Sequence, residues 1–64
     1  MSRNIQQHQV VALATTNMEI VNLGKQILSV AHTLDPINQQ KLAPILAELF
    51  QQCENLDKVI REIL

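Results

Sequence analysis

A chain of 64 residues with a formal net charge of −1 has room for one small domain, which we expect to span residues 1–64. Its one cysteine, Cys53, excludes an intrachain disulfide, and its five basic residues are scattered, which argues against a phosphate-binding surface. The sole aromatic residue, Phe50, provides no stacking platform for single-stranded nucleic acid.

Membrane insertion and secretion are not expected. Polar residues interrupt the apolar segment before it reaches the roughly 18 residues that a membrane span needs. The first nine residues are rich in Gln and Asn and lack the basic-then-apolar order of a signal peptide. A lone thiol is typical of a reducing compartment. The sequence therefore predicts a cytoplasmic protein without membrane contact.

The first predicted helix covers residues 5–32. Asn4 is a suitable N-cap, with Gln7 in the capping-box position three residues later. Residues 10–17 are its weakest part, because Val-Val and Thr-Thr-Asn are poor helix formers. A strand over residues 9–16 is the alternative, but it would be an isolated strand, which is unfavourable. The helix is therefore the preferred interpretation.

The apolar residues of this helix form two adjacent rows. At about 100° per residue they cover an arc of roughly 200°, twice what a helix with one neighbour needs. Row 1 is Leu13, Ile20, Leu23, Ile27, Val30 and Leu34, and row 2 is Val10, Ala14, Met18, Val21 and Leu28. We expect row 1 to pack against the second helix of the same chain. Row 2 would then need another chain to cover it.

Small residues recur every seven positions beside row 1, at Asn17, Gly24 and Ala31. They could form a ridge that lets a neighbouring helix approach closely. The alternative is a glycine tolerated in the helix, at a cost of about 1 kcal/mol relative to alanine, with accidental spacing. The sequence does not separate these two interpretations.

Asp35 and Pro36 mark the start of the second helix. An aspartate carboxylate caps a helix N-terminus, and proline is suited to the first helical position. The connector is short, about residues 33–35, so the helices should fold back antiparallel. Helix 2 then covers residues 36–64, with a kink expected near Pro44. The alternative is a break, with a short helix over residues 36–42 and the main helix from Ala43.

Helix 2 carries three apolar positions per heptad, the pattern of a bundle helix. Leu42, Leu49, Leu56 and Ile63 recur every seven residues, flanked by Ile45, Leu46, Cys53, Val59 and Ile60. Gln52 interrupts this face between Ile45 and Val59, as Thr16 interrupts the apolar face of helix 1. A buried polar residue there, Asn17 included, could fix register; the alternative is that it reaches water.

Phe50, together with Leu46 and Cys53, could form a second surface for a protein partner. The competing interpretation is that a single apolar side chain off the main face has no special role.

No catalytic or metal-binding constellation is evident. His8, His32 and Cys53 are the candidates for nucleophile, base or metal ligand, but no His-x3-His, Cys-x2-Cys or Glu-x2-His spacing occurs. With one glycine there is no phosphate-binding loop. We therefore expect a protein that is not an enzyme and that needs no cofactor or metal.

A single helical hairpin leaves too much apolar surface uncovered. The sequence therefore predicts an all-α hairpin that dimerises into a homodimeric four-helix bundle. The expected oligomer interface comprises Val10, Leu13, Ala14, Met18, Ile20, Val21, Ile27, Leu28, Leu49, Leu56 and Ile60.

The functional hypothesis is a small protein–protein interaction module of regulatory, adaptor or chaperone-like kind. One alternative is a nucleic-acid-binding hairpin dimer, which would need Lys25, Lys41 and Lys58 to assemble into a basic stripe. The other is an obligate subunit of a hetero-complex.

Overall fold

The chain is an all-α helical hairpin. The computed structural model describes the backbone of residues 2–63 and the side chains of residues 7–63. Helix α1 spans Ser2–Ala31, helix α2 spans Pro36–Ile63, and the two pack against each other. The predicted hairpin is confirmed, and residues 10–17 are helical, so the strand alternative is wrong.

Helix α1 begins at Ser2, before the predicted cap Asn4, whose side chain lies outside the described residues. At its other end the last turn tightens, because the backbone N–H groups of Thr33 and Leu34 donate to the carbonyls of Val30 and Ala31 at 3.0 Å. Such i to i−3 hydrogen bonds are common where a helix ends.

Asp35 precedes α2 as predicted, but its carboxylate makes a different hydrogen bond from the one expected. The Asp35 carbonyl accepts the first helical hydrogen bond, from the Gln39 backbone N–H at 3.0 Å. Its carboxylate accepts from the side-chain amide of Asn38 at 2.6 Å, where a backbone N–H was predicted. The residue therefore starts the helix through its position and a local side-chain contact.

The Gln39 side chain links the connector to α2. Its Nε2 donates to the carbonyl of Leu34 at 2.6 Å and to that of His32 at 3.2 Å. Gln39 therefore holds the connector against the start of α2 through two carbonyls that follow the end of α1.

Pro44 lies inside α2, and the helix continues through it. The alternative of two separate helices is therefore wrong, while the kink stays a prediction. Proline removes the hydrogen bond to the carbonyl four residues earlier. That residue, Gln40, is exposed, so water can replace the missing donor.

The hairpin is a single layer of two helices. It measures 54 × 16 × 10 Å, and its radius of gyration of 15.4 Å exceeds the about 11 Å expected of a globular chain of this length. It exposes 5279 Å² of surface, whereas a compact monomer of this mass would expose about 4,100 Å². Stable domains generally bury their core between two layers, and this chain forms one.

Candidate functional site

The small-residue ridge faces α2, and row 2 lies beside it only in part: Ala14 and Val21 are half-buried, whereas Met18 and Leu28 are exposed. Val10, Asn17 and Ala31 are buried against α2, each less than 10% exposed. Every residue of row 1, by contrast, is between 38% and 66% exposed. The prediction that row 1 packs against α2 is therefore wrong. The physical reason is size, because the small side chains of the ridge let the helix axes approach more closely than the leucines and isoleucines of row 1 would.

The two helices lie close together at Gly24. A Cβ atom built on Gly24 would lie 2.8 Å from Cε1 of Phe50, 3.0 Å from its Cζ and 3.2 Å from Cδ2 of Leu49. Ordinary carbon contacts are about 3.5–4.0 Å long. The Phe50 ring therefore occupies the space that any larger residue at position 24 would need. Gly24 therefore lies in the helix interface together with the buried Asn17 and Ala31, which is the position that the ridge interpretation predicts.

Asn17 is buried between the helices, so of the two alternatives that the sequence left open, contact with water is wrong. Its Nδ2 donates to the carbonyl of Cys53 at 2.9 Å, across the interface. Its Oδ1 is buried without a hydrogen-bond partner among the described residues. A buried amide of this kind fixes the level at which α1 lies against α2, because sliding either helix would break its one hydrogen bond.

Two of the three residues of the predicted partner surface lie inside the hairpin. Leu46 and Cys53 are buried against α1. Phe50 is half-buried and lines a groove of about 390 Å³ that also contains Met18 and Lys25. Of the predicted surface, Phe50 therefore retains an accessible part, and the thiol of Cys53 is covered.

The residues predicted for the oligomer interface fall into three groups. Val10 and Ile60 are already buried within the hairpin. Ala14, Val21, Leu49 and Leu56 are half-buried beside them. The remaining residues are exposed: Leu13, Met18, Ile20, Ile27 and Leu28. Whether any of them contacts a second chain stays a prediction.

Row 1 and one side of α2 open onto the same face of the hairpin. A groove of about 480 Å³ is lined by Leu23, Ile27, Val30 and Leu34 of α1 together with Leu42 of α2. The other α2 residues on the side of Leu42 follow at helical spacing: Ile45, Leu49, Leu56, Val59 and Ile63. We call the surface formed by row 1 and these six α2 residues the apolar face.

The apolar face is larger than an isolated soluble chain usually exposes. Nine of its Leu, Ile and Val side chains are between 38% and 66% exposed. They present roughly 800 Å² of apolar surface, compared with about 300–600 Å² for the largest patch of a typical monomer. Thr16 and Gln52 interrupt it, as the sequence indicated. This face is the candidate functional site.

The residues considered for catalysis do not form a site. His8 and His32 are exposed at positions 24 residues apart on α1 and its end, which corresponds to about 36 Å. Cys53 is buried beside Asn17 on the other helix. Within residues 7–63, no three His, Cys, Asp or Glu side chains are placed to hold a metal ion.

In the described part of the chain, neither helix has an apolar stretch long enough to cross a membrane. Comparisons of the chain with protein-family models, with curated proteins and with solved structures find no significant match.

Proposed function

We propose that this chain is a small non-enzymatic protein–protein interaction module, regulatory, adaptor or chaperone-like in kind, that self-associates through its apolar face. Two copies related by a two-fold axis would form a homodimeric four-helix bundle. The proposal places the protein in a reducing cytoplasm, where Cys53 would remain a free thiol.

The observation that carries the proposal is the uncovered apolar face. Roughly 800 Å² of apolar surface is about the area that each partner contributes to a stable protein interface. The hairpin also exposes roughly 1,100 Å² more surface than a compact monomer of its mass. Packing two such faces together would remove the apolar face from water and would also reduce the excess of exposed surface.

The shape of the hairpin favours a second hairpin as the occupant. A layer 10 Å thick and 54 Å long presents two parallel ridges of side chains over its whole length. Helices pack about 8–10 Å apart, so a second layer of equal length covers the face completely. The product is a four-helix bundle with one core between two layers.

The mass of the purified chain in solution tests this proposal. Size-exclusion chromatography with light scattering should give twice 7.2 kDa at micromolar concentration, with a helical circular-dichroism spectrum. A stable, folded species at 7.2 kDa would overturn the proposal. If the chain aggregates alone and becomes soluble only on co-expression with another protein, the subunit of a hetero-complex would replace the homodimer.

Nucleic-acid binding receives less support from the arrangement of charges. Lys25 lines the groove beside Phe50 together with Glu54 and Asp57, so its charge is opposed locally. Asp57 Oδ2 in turn lies 2.9 Å from a guanidinium nitrogen of Arg61. Salt-dependent retention of RNA or DNA would revive this alternative.

A further inference from the structure

The apolar face carries two polar residues at one level, Thr16 on α1 and Gln52 on α2, which we call the polar belt. Thr16 shares a heptad position with Leu23 and Val30, and Gln52 shares one with Ile45 and Val59. We propose that in the dimer the polar belt of one copy lies against the polar belt of the other and fixes the register of the two hairpins. This inference rests on the proposed homodimer.

The hairpin interface places both belt residues at nearly the same level. The hydrogen bond from Asn17 Nδ2 to the carbonyl of Cys53, 2.9 Å long, joins the residues that directly follow Thr16 and Gln52. The two belt residues therefore lie within about one helical turn of each other along the hairpin axis.

The polar belt also lies near the middle of the hairpin. Thr16 is 14 residues after Ser2 and 15 before Ala31. Gln52 is 16 residues after Pro36 and 11 before Ile63. Apolar side chains extend on both sides of it, with Leu23 to Leu34 toward the connector and Leu13, Val59 and Ile63 toward the other end.

This central position makes belt-to-belt contact independent of how the two hairpins are oriented. If the two-fold axis runs along the helices, every level of one copy meets the same level of the other. If the axis runs across the helices, only the midpoint meets itself when the two faces overlap fully. Because the belt lies near the midpoint, both arrangements bring it against its counterpart.

The belt side chains retain hydrogen-bonding capacity for such a contact. Gln52 Nε2 donates to Glu48 Oε1 at 2.9 Å, which uses one of its two protons and leaves its Oε1 as an acceptor. Thr16 Oγ1 donates to the carbonyl of Ala12 at 3.0 Å and can still accept. With the two-fold axis across the helices, a dimer shifted by one turn would set these groups against leucine and isoleucine, weakening association by roughly tenfold for each amide left unpaired.

Disulfide trapping tests the inference. Gln52→Cys and Thr16→Cys are each made in a Cys53→Ala background, and the two variants are oxidised separately and as a mixture. A disulfide forms only between Cβ atoms about 3.5–4.5 Å apart, so the trapped product reports which residues meet across the dimer. Gln52→Cys should trap with itself if α2 lies over α2, and the mixture should trap if α1 lies over α2. More than half of the chains should be trapped in one of these samples. Ile45→Cys, alone and mixed with Thr16→Cys, is the matched control for the two arrangements, since it lies on the same face about 10 Å along α2, and less than a tenth of it should be trapped in either sample.

The outcomes separate the belt from the dimer itself. The proposed register is wrong if the chain has twice the monomer mass but gives no disulfide between belt residues, or if Ile45→Cys is trapped as efficiently as they are. Either result leaves the proposed function standing. A folded monomer at 7.2 kDa overturns the proposed function. A second measurement uses the natural Cys53 and a photo-reactive benzoylphenylalanine at position 52. Its crosslinks should map within one helical turn of residue 16 or 52 of the other copy, and crosslinks at the chain ends would refute the register.

Discussion

Replacing Gly24 with alanine tests the packing of α1 against α2, because two effects of known size oppose each other. Alanine in a helix interior stabilises by about 1 kcal/mol relative to glycine. The new Cβ, however, would lie 2.8 Å from the edge of the Phe50 ring and 3.2 Å from Leu49 Cδ2. Overpacking of this kind costs about 1–3 kcal/mol. We therefore expect Gly24→Ala to lower the free energy of unfolding by about 0–2 kcal/mol.

Removal of the ring should reverse the sign. In a Phe50→Ala background the main obstacle is absent, so Gly24→Ala should stabilise by up to about 1 kcal/mol. The double-mutant cycle would then give a coupling free energy of at least about 1 kcal/mol between positions 24 and 50. Urea unfolding followed by circular dichroism at fixed protein concentration measures all four variants.

A control in the same helix calibrates the propensity effect. Ala12 is exposed on α1, and Ala12→Gly should cost about 1 kcal/mol. If Gly24→Ala stabilises the natural chain by the same amount that Ala12→Gly destabilises it, and does so equally without Phe50, the close approach of the helices at Gly24 is refuted.

Two further substitutions address the interior of the hairpin and its connector. Asn17→Ala removes a buried hydrogen bond and should lower the free energy of unfolding by about 1–2 kcal/mol. The exposed control Asn22→Ala should change it by less than about 0.5 kcal/mol. Equal effects of the two substitutions would contradict the burial of Asn17 between the helices. Gln39→Ala removes two hydrogen bonds to the connector carbonyls of His32 and Leu34 and should cost about 1 kcal/mol, with the adjacent exposed Gln40→Ala as its control. Both pairs are measured by thermal and urea unfolding, and a Gln39→Ala variant as stable as Gln40→Ala would show that these connector hydrogen bonds do not stabilise the hairpin.

The helical hairpin could be predicted because its signals are local. Asp35 and Pro36 form a helix start that depends on the backbone preferences of two adjacent residues. The heptad spacing of α2 continues across Pro44, which favoured one helix over two, and the structure has one helix there. Such signals need no knowledge of the rest of the chain.

The face of α1 that meets α2 could not be predicted from hydrophobicity. Row 1 contains the larger apolar residues, so a ranking by apolar content selects it as the interior. The structure instead selects the row with Gly24 and Ala31, because close contact depends on the size of the side chains. The spacing of the small residues at intervals of seven was the available signal, and it pointed to the correct side.

The spacing of the small-residue ridge placed Asn17 beside Gly24 and Ala31, but the hydrogen bond of Asn17 had no signal in the sequence. Its partner is the backbone carbonyl of Cys53, and every residue carries such an acceptor. Only the level at which the two helices meet brings these groups together. With Asn17 at the centre of the interface, row 1 lies along one edge of it, and together with the neighbouring side of α2 it forms the apolar face.

The most direct test of self-association through the apolar face compares two charged substitutions at equally exposed positions of α1. Ile27, on the apolar face, is 47% exposed, and Val11, on another side of the helix, is 54% exposed. Sedimentation equilibrium at micromolar concentration should give twice 7.2 kDa for the natural chain and for Val11→Asp, and 7.2 kDa for Ile27→Asp. A natural chain that is a folded monomer, or an Ile27→Asp variant that remains a dimer as stable as Val11→Asp, would contradict self-association through the apolar face.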